Sequence, residues 1–360
     1  MIDRAGLLGC DQPLVKAYDL ALLDLDGVVY IGPDAVPGAA QALAEARDAG
    51  MPVRFVTNNA SRPPQVVADH LTALGVPAEV GEVVTSAQVA AALLAHRLPA
   101  GAGVLVIGGE GLRLALTAEG LVPMSSVDDG PAAVVQGFGP EVGWRLLAEG
   151  SRGVRDGLFW MATNLDLTVP TPYGPAPGNG ALVQVVAMAA GREPDDVAGK
   201  PRPGAFLEAA RQAEAVRPLV VGDRLDTDLE GARAADMHGL MVLTGVNGAL
   251  DVLTAPAHRR PHYLGRDLAA LLAPHPAVAL DDGGTARCGA AVARVEDGAV
   301  QVLEAGPDAL DLLRAATAAA WDTRDRDDRG GAGRDTTDEV DGSVLLRALR
   351  AVEATATWAR

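Results

Sequence analysis

Leu20-Ala21-Leu22-Leu23-Asp24-Leu25-Asp26-Gly27 is the stretch that decides the fold. Its four apolar residues read as a strand buried on both faces, as in a parallel sheet. Two carboxylates then stand at the carboxyl end of that strand, where open α/β sheets do their chemistry. Alone, Asp-x-Asp-Gly is as easily a turn as a site. Three further stretches keep it company: Phe55-Val56-Thr57-Asn58-Asn59, Gly199-Lys200-Pro201 and Val221-Gly222-Asp223-Arg224-Leu225-Asp226-Thr227-Asp228. The first and last of these also follow apolar, strand-like runs.

Working outward, strands are expected at 20–23 and 53–56, with helices at 38–49 and 64–74 closed by Gly50 and Gly75. Glycine just past a helix is the expected stop signal. Such βα repeats imply a doubly wound parallel sheet. A second βα series, at 104–107, 110–119, 133–136 and 158–161, reads as an inserted α/β domain. The first series resumes with helices at 181–190 and 203–213, a strand at 219–221, a helix at 227–235 and a strand at 240–243. It closes near Leu272. Beyond Pro274, strands at 288–295 and 299–304 flank Asp297-Gly298, and an Ala-rich helix follows at 307–321. The run 322–341 is crowded with Asp, Arg, Gly and Thr and is expected to be disordered, since it lacks apolar surface to offset ordering entropy. A last helix is expected at 343–358. The expected division is therefore a core at 1–82 and 181–273, an inserted domain at 83–180 and an extension at 274–360.

The 360 residues, 49% of them hydrophobic, suggest two or three domains with ample core. A formal charge of −17 argues against a nucleic-acid partner, which needs clustered cations. No apolar run of membrane-spanning length is present, and the N-terminus lacks the basic-then-apolar pattern of a signal peptide. Cys10 and Cys288 make neither a disulfide framework nor a zinc site. A cytoplasmic protein with a small-molecule partner is expected, and a homo-oligomer is left open. Of the 30 basic residues only Lys16 and Lys200 are lysine. A compact ammonium in Gly-Lys-Pro suits the approach to a phosphoryl oxygen, where a planar guanidinium would not fit.

These residues suit hydrolysis of a phosphomonoester. An anionic nucleophile must approach a dianion, and like unit charges at ~4 Å repel by roughly 4 kcal/mol at an effective dielectric near 20. A site built on carboxylates must import positive charge, supplied here by Mg²⁺ and Lys200. Asp24 is the expected nucleophile, giving an aspartyl phosphate. Asp26 would protonate the leaving alkoxide and later deprotonate water, which needs a raised pKa. Gly27 would turn the backbone away. Asp24, the Asp26 carbonyl and Asp223 are the expected protein ligands of the metal. Asp228 would hold a metal-bound water or pair with Lys200, whereas Asp226 reads as a helix N-cap. Thr57, Asn58 and Asn59, through the Thr57 hydroxyl and backbone N–H groups, are suited to the phosphoryl oxygens. Competing motifs are less consistent: Gly108-Gly109-Glu110-Gly111 lacks the third glycine of a dinucleotide fingerprint, Gly199-Lys200 is no Walker motif, and Pro261 separates His258 from His262.

In order, the four motifs resemble those of the haloacid dehalogenase (HAD) superfamily of phosphatases, over roughly residues 17–272. Their spacing is similar to that of the subfamily with a large α/β cap between the Thr and Lys motifs, which includes nitrophenylphosphatase-like and phosphoglycolate phosphatases. Membership implies a Rossmann-like core, Mg²⁺ dependence and the aspartyl-phosphate route. Within it, Ala162-Thr163-Asn164-Leu165-Asp166, Pro177-Gly178-Asn179-Gly180 and the tail resemble an actinobacterial branch acting on glycerol 3-phosphate. That likeness implies a reduced acetyltransferase-type extension. No acyl-CoA pyrophosphate loop is visible in it, so no transfer activity is expected. Asn164, Asp166 and Asn179 become candidate hydroxyl-recognising groups, with Arg62 a cation at the cap rim. Phosphoglycolate, nucleotides and sugar phosphates are alternative substrates. A metabolite-binding or interaction protein acting through its extension is the reading of another class.

Overall fold

Leu20–Leu23, wholly buried, lies inside a six-stranded parallel sheet, which a computed structural model defines for residues 6–171 and 173–329 together with Ser343 and Arg347. The sheet order is Tyr263–Gly265, His238–Val242, Pro218–Gly222, Leu20–Leu23, Val53–Thr57, Val83–Thr85. Leu23 stands opposite Val221 on one side and Phe55 on the other. The chain winds from Leu20–Leu23 toward Val83–Thr85 in one direction and from Pro218–Gly222 toward Tyr263–Gly265 in the other. The reversal between these two central strands opens a crevice at their carboxyl ends, flanked by Asp24 and Asp223.

A second parallel sheet, ordered Asp196–Val197, Phe159–Ala162, Ala133–Gln136, Gly103–Ile107, Val122–Met124, forms the cap. Two spans differ from expectation. Val83–Thr85 pairs with Val53–Thr57 in the core sheet, not in the cap. The helix Asn179–Ala190, expected to resume the core, instead buries Val183, Val186 and Ala187 against Ile107, Val134 and Trp160 of the cap. Asp196–Val197 then pairs with Phe159–Ala162. An apolar helical face shows that something is covered but not which of two sheets it covers.

The extension folds as four antiparallel strands, Ala279–Leu280, Ala286–Cys288, Ala291–Glu296 and Ala299–Glu304, crossed by the helix Ala309–Arg329. Asp297 and Gly298 make the hairpin turn with φ of 52° and 74°, the left-handed pair that such two-residue loops require. Cys288 belongs to the preceding strand, because the chain reverses at Gly289. The long helix also corrects the expected disorder at 322–341: residues 322–329 are helical. Their charges find partners that composition cannot reveal. Asp325 pairs with Arg260 at 2.8 Å, Arg324 donates to the Thr254 carbonyl, and Arg326 pairs with Asp322 at 2.7 Å. The rest of the expected disordered run, and the final helix apart from Ser343 and Arg347, lie outside the described residues. Among the described residues no helix is long and apolar enough to cross a membrane.

Candidate active site

The strand ends deliver the first two motifs, and local backbone chemistry shapes them. Beyond Asp24 the chain folds into a tight knot in which the Leu25 carbonyl accepts from the amides of Val28, Val29 and Tyr30. Gly27 sits in this knot at φ 84°, and a Cβ there would run into the Asp223 carboxylate. Glycine is therefore required twice over, by conformation and by space.

Lys200 is 3% exposed, and its ammonium lies 2.5 Å from Asp24 Oδ1, 2.7 Å from Asp228 Oδ1 and 3.1 Å from the Val56 carbonyl. Burial alone would lower its pKa, but the Asp228 and Asp24 carboxylates outweigh that and raise it. Asp228, fully buried, thus pairs with Lys200, one of the two roles expected for it. Its other oxygen accepts from the Arg224 amide at 3.1 Å. Asp228 is carried by a π-helical turn, Leu225–Leu229, that leads into the helix Glu230–Ala234. Single turns of this kind often mark functional sites. Asp226 is not the helix N-cap expected: its carboxylate is taken by both arms of Arg224, at 3.1 and 3.0 Å.

Asp24, Asp223 and Asp228 each place a carboxylate oxygen within 4.8 Å of the others. Asp223 accepts from the Val246 amide at 2.6 Å through Oδ2, but its Oδ1 is buried with no partner. Burial pushes the pKa of both Asp223 and Asp228 up, and repulsion from neighbouring carboxylates adds to the rise. An orphaned oxygen among like charges, with oxygen-only donors, fits a hard divalent cation. The carboxylate of Asp26 stands apart from this triad. Its pKa is pushed up to about 6 by burial and by Asp24, against the opposing pull of Lys200 and Arg62. Such a value suits a group that must both give and take a proton near neutrality.

The remaining expected residues divide. Thr57 is buried at the end of its strand, and its hydroxyl oxygen accepts from the Asn59 amide at 3.1 Å, which leaves the O–H to donate. Asn58 does not offer its side chain to a phosphoryl group. Its Oδ1 accepts from the Lys200 amide at 2.8 Å, while Nδ2 donates to the Lys200 carbonyl and to both oxygens of Asp166. It is the clip that holds the Lys200 motif. Asn59 is spent locally, its Oδ1 accepting from the amides of Ser61 and Arg62 and from the Ser61 hydroxyl. Arg62 is exposed beside the cap, close enough for its charge to act on Asp26.

On the cap side, Asn164 is buried and donates to the Asn58 carbonyl at 2.8 Å, and Asn179 donates to the Asn164 carbonyl at 2.7 Å. Both asparagines therefore shape the loop rather than present amides to the crevice. Asp166, bonded to Asn58, lies close enough to Arg224, Lys200 and Asp24 for their charges to act on it. Burial raises its pKa, and Arg224 and the Asn58 hydrogen bonds pull it back down. Sequence reasoning missed Arg224 in this setting, although it sits inside the quoted motif. It also missed Ser86, whose hydroxyl donates to the Asn58 carbonyl at 2.6 Å. Ser86 follows the Thr85 N-cap in a Thr-x-x-Gln capping box, a pattern that marks a helix start and nothing more. The Val246-Asn247 loop was missed as well, though its place after the strand His238–Val242 puts it at the chemically active edge.

Comparison with known proteins gives the family. A haloacid dehalogenase-like hydrolase family model matches residues 21–122, and a HAD-hydrolase-like model matches residues 197–271. The D-glycerol 3-phosphate phosphatase of Mycobacterium tuberculosis is 44% identical over 324 residues, covering 88% of this chain and 89% of that protein. The chain belongs to the haloacid dehalogenase-like hydrolases. An acid sugar phosphatase of Staphylococcus saprophyticus is 38% identical, over 64% of this chain and 89% of its own length. Among solved structures of such hydrolases, a glycerol phosphate phosphatase of Mycobacterium tuberculosis in complex with magnesium superposes with a TM-score of 0.82 at 42% identity, covering 94% of this chain and 98% of that one. A 4-nitrophenylphosphatase from Thermotoga maritima gives 0.67 at 28% identity, over 72% of this chain and 98% of that one.

Proposed function

We propose that this hydrolase is a Mg²⁺-dependent phosphomonoesterase whose substrate is glycerol 3-phosphate. The carrying observation is the buried ammonium of Lys200 between Asp24 and Asp228, beside an Asp223 oxygen that has no partner. The arrangement holds two carboxylates with one fixed cation and leaves an oxygen for a second. Similarity over 88% of the chain to a D-glycerol 3-phosphate phosphatase supports the substrate.

Asp24, Asp223 and Asp228 would hold Mg²⁺, directly or through its waters, and the ion supplies charge neutralisation for the phosphoryl oxygens. Lys200 fixes one oxygen of Asp24 and leaves the other to attack phosphorus. The P–O bond to glycerol breaks as the Asp24–phosphorus bond forms, and Asp26 gives its proton to the departing alkoxide. Asp26 then takes a proton from water, which opens the aspartyl phosphate and returns Asp24 and inorganic phosphate. The Thr57 hydroxyl donates to a phosphoryl oxygen. Asp166, held by Asn58 and facing Arg224, accepts from a hydroxyl of the glycerol moiety. Asn59, Asn164 and Asn179 act by shaping their loops, and Arg62 contributes charge at the rim. The reaction would take place in the cytoplasm on a small molecule, with no nucleic-acid or membrane partner. The working division places the cap at 86–197, between the two parts of the core, and the extension from 274.

Turnover over a panel of glycerol 3-phosphate, phosphoglycolate, sugar phosphates and nucleotides, with and without Mg²⁺, tests the reading. A clear preference for glycerol 3-phosphate that vanishes in Asp24→Asn, with folding intact, is expected. A flat profile would remove the substrate assignment, and activity retained in Asp24→Asn would remove the nucleophile.

A further inference from the structure

The extension does not stand off from the core. Its helix Ala309–Arg329 buries Leu312, Leu313, Ala316 and Trp321 in one apolar cluster with Leu225 and Leu229, the two ends of the π-turn that carries Asp228. Trp321 is 2% exposed, and its indole N–H donates to the Val252 carbonyl at 3.0 Å. Val252 belongs to the short helix Ala249–Leu253. Immediately before that helix runs the loop that grips Asp223: the Val246 amide donates to Asp223 Oδ2 and the Asn247 amide to the Asp223 carbonyl at 3.2 Å. The Asn247 side chain closes the circuit by accepting from the Leu225 amide at 2.9 Å. Arg324 donates to the Thr254 carbonyl at the carboxyl end of the same short helix, and the Arg260 guanidinium lies over the Trp321 ring at 5.0 Å.

We infer that the extension acts as a buttress for the metal-binding end of the core, with Trp321 as its positioning residue. Trp321 touches neither metal nor substrate. It fixes the helix Ala249–Leu253, and through it the loop and the π-turn that hold Asp223 and Asp228 at a common point. Lys200 ties Asp24 to Asp228, while Asp223, which repels both, is held in place by the backbone of the Val246-Asn247 loop. Groups behind a metal's ligands commonly set a large part of its affinity. The inference rests on the Mg²⁺ reading proposed above.

The test is Mg²⁺ titrated calorimetrically into the metal-free full chain, for the wild type, Trp321→Phe and Arg324→Met. Phenylalanine keeps an aromatic ring in the cluster while removing the N–H and part of the ring volume, and Arg324→Met loosens the same helix from a second anchor without touching that ring, if the first variant folds poorly. Arg287→Ala, at an exposed position of the strand Ala286–Cys288, is the control. The Mg²⁺ dissociation constant should rise about three- to tenfold in both anchor variants, below the full effect of removing a group bonded directly to a ligand. It should stay unchanged in Arg287→Ala, and kcat at saturating Mg²⁺ should change less than twofold throughout. An unchanged dissociation constant with a lowered melting temperature would overturn the inference, leaving the extension a source of stability alone. A wild type that takes up no Mg²⁺ would overturn the metal reading itself, and the inference with it.

Discussion

Lys200→Met should injure this protein twice, and in a pH-dependent way. The ammonium lies 2.5 Å from Asp24 and 2.7 Å from Asp228, and each contact is worth about 6 kcal/mol in gross Coulomb energy at an effective dielectric near 20. Burying the ammonium returns much of that gain, and removing one partner of a buried pair typically costs about 3–5 kcal/mol because the other is left uncompensated. Here the groups left behind are two carboxylates, with Asp223 beside them. Without Lys200 the pKa of Asp228, already raised by burial, must climb further. A carboxyl whose folded pKa lies above its unfolded one contributes stability at low pH and loses it as pH rises through the folded value. Denaturant unfolding in metal-free buffer should therefore show the variant about 3–5 kcal/mol less stable at pH 7.5, and much closer to wild type at pH 5. Saturating Mg²⁺ should restore part of the loss, about 2.7 kcal/mol at a hundredfold excess over its dissociation constant. Turnover should fall by about a thousandfold, as when a charge-stabilising group is removed elsewhere. A stability difference that is the same at pH 5 and pH 7.5 would refute the claim that Lys200 is the counter-charge of this cluster.

Three other outcomes follow from the same site. With its pKa raised from 3.8 to about 6, Asp26 loses its proton as pH rises through about 6, so kcat/KM should decline above that pH if its acid role limits the rate. The shift of roughly two units at 1.36 kcal/mol each means that ionising this carboxyl costs the native state about 3 kcal/mol. Asp26→Asn should accordingly melt higher than wild type at pH 8 and alongside it at pH 4, while losing about 10²–10⁴ in turnover; equal melting at both values would contradict the buried, raised-pKa assignment. Gly27→Ala should abolish Mg²⁺ uptake by driving its methyl into the Asp223 carboxylate, whereas Gly32→Ala, also at positive φ but with open space around it, should bind Mg²⁺ as wild type does. Calorimetric titration of both would expose an error in that contact.

What could be read in the sequence was what is local. Leu20-Ala21-Leu22-Leu23 carries its burial in its composition, and the position of Asp24 follows from the strand's end. The second carboxylate group was legible for the same reason, because Asp223 follows a run of the same kind on the adjacent strand. Asn58 was legible as a site residue but not in its use. Its partner Lys200 lies 142 residues away, and nothing in Thr-Asn-Asn shows that an amide will spend its hydrogen bonds on the backbone of another motif. The extent of the helix Ala309–Arg329 escaped for a related reason. Asp322, Arg324, Asp325 and Arg326 look like a solvated run until the core supplies Arg260 and the Thr254 carbonyl. Charge in a sequence shows the cost of burial, whereas only the fold shows whether a partner meets it.

The same reasoning explains why a chain that carries 28 of its 30 basic residues as arginine keeps a lysine at position 200. The cation there must touch Asp24, Asp228 and the Val56 carbonyl at once, from within a pocket that leaves it 3% exposed. Those three acceptors surround a single point. An ammonium sends three hydrogens outward from one nitrogen and meets them all. A guanidinium spreads its five donors across a plane and engages carboxylates side by side, as Arg224 does with Asp226. Lys200→Arg keeps the charge and loses that convergence. If position 200 required only a positive charge, the arginine variant would retain most of its activity; a loss close to that of Lys200→Met would show that a point-like cation is what the pocket selects.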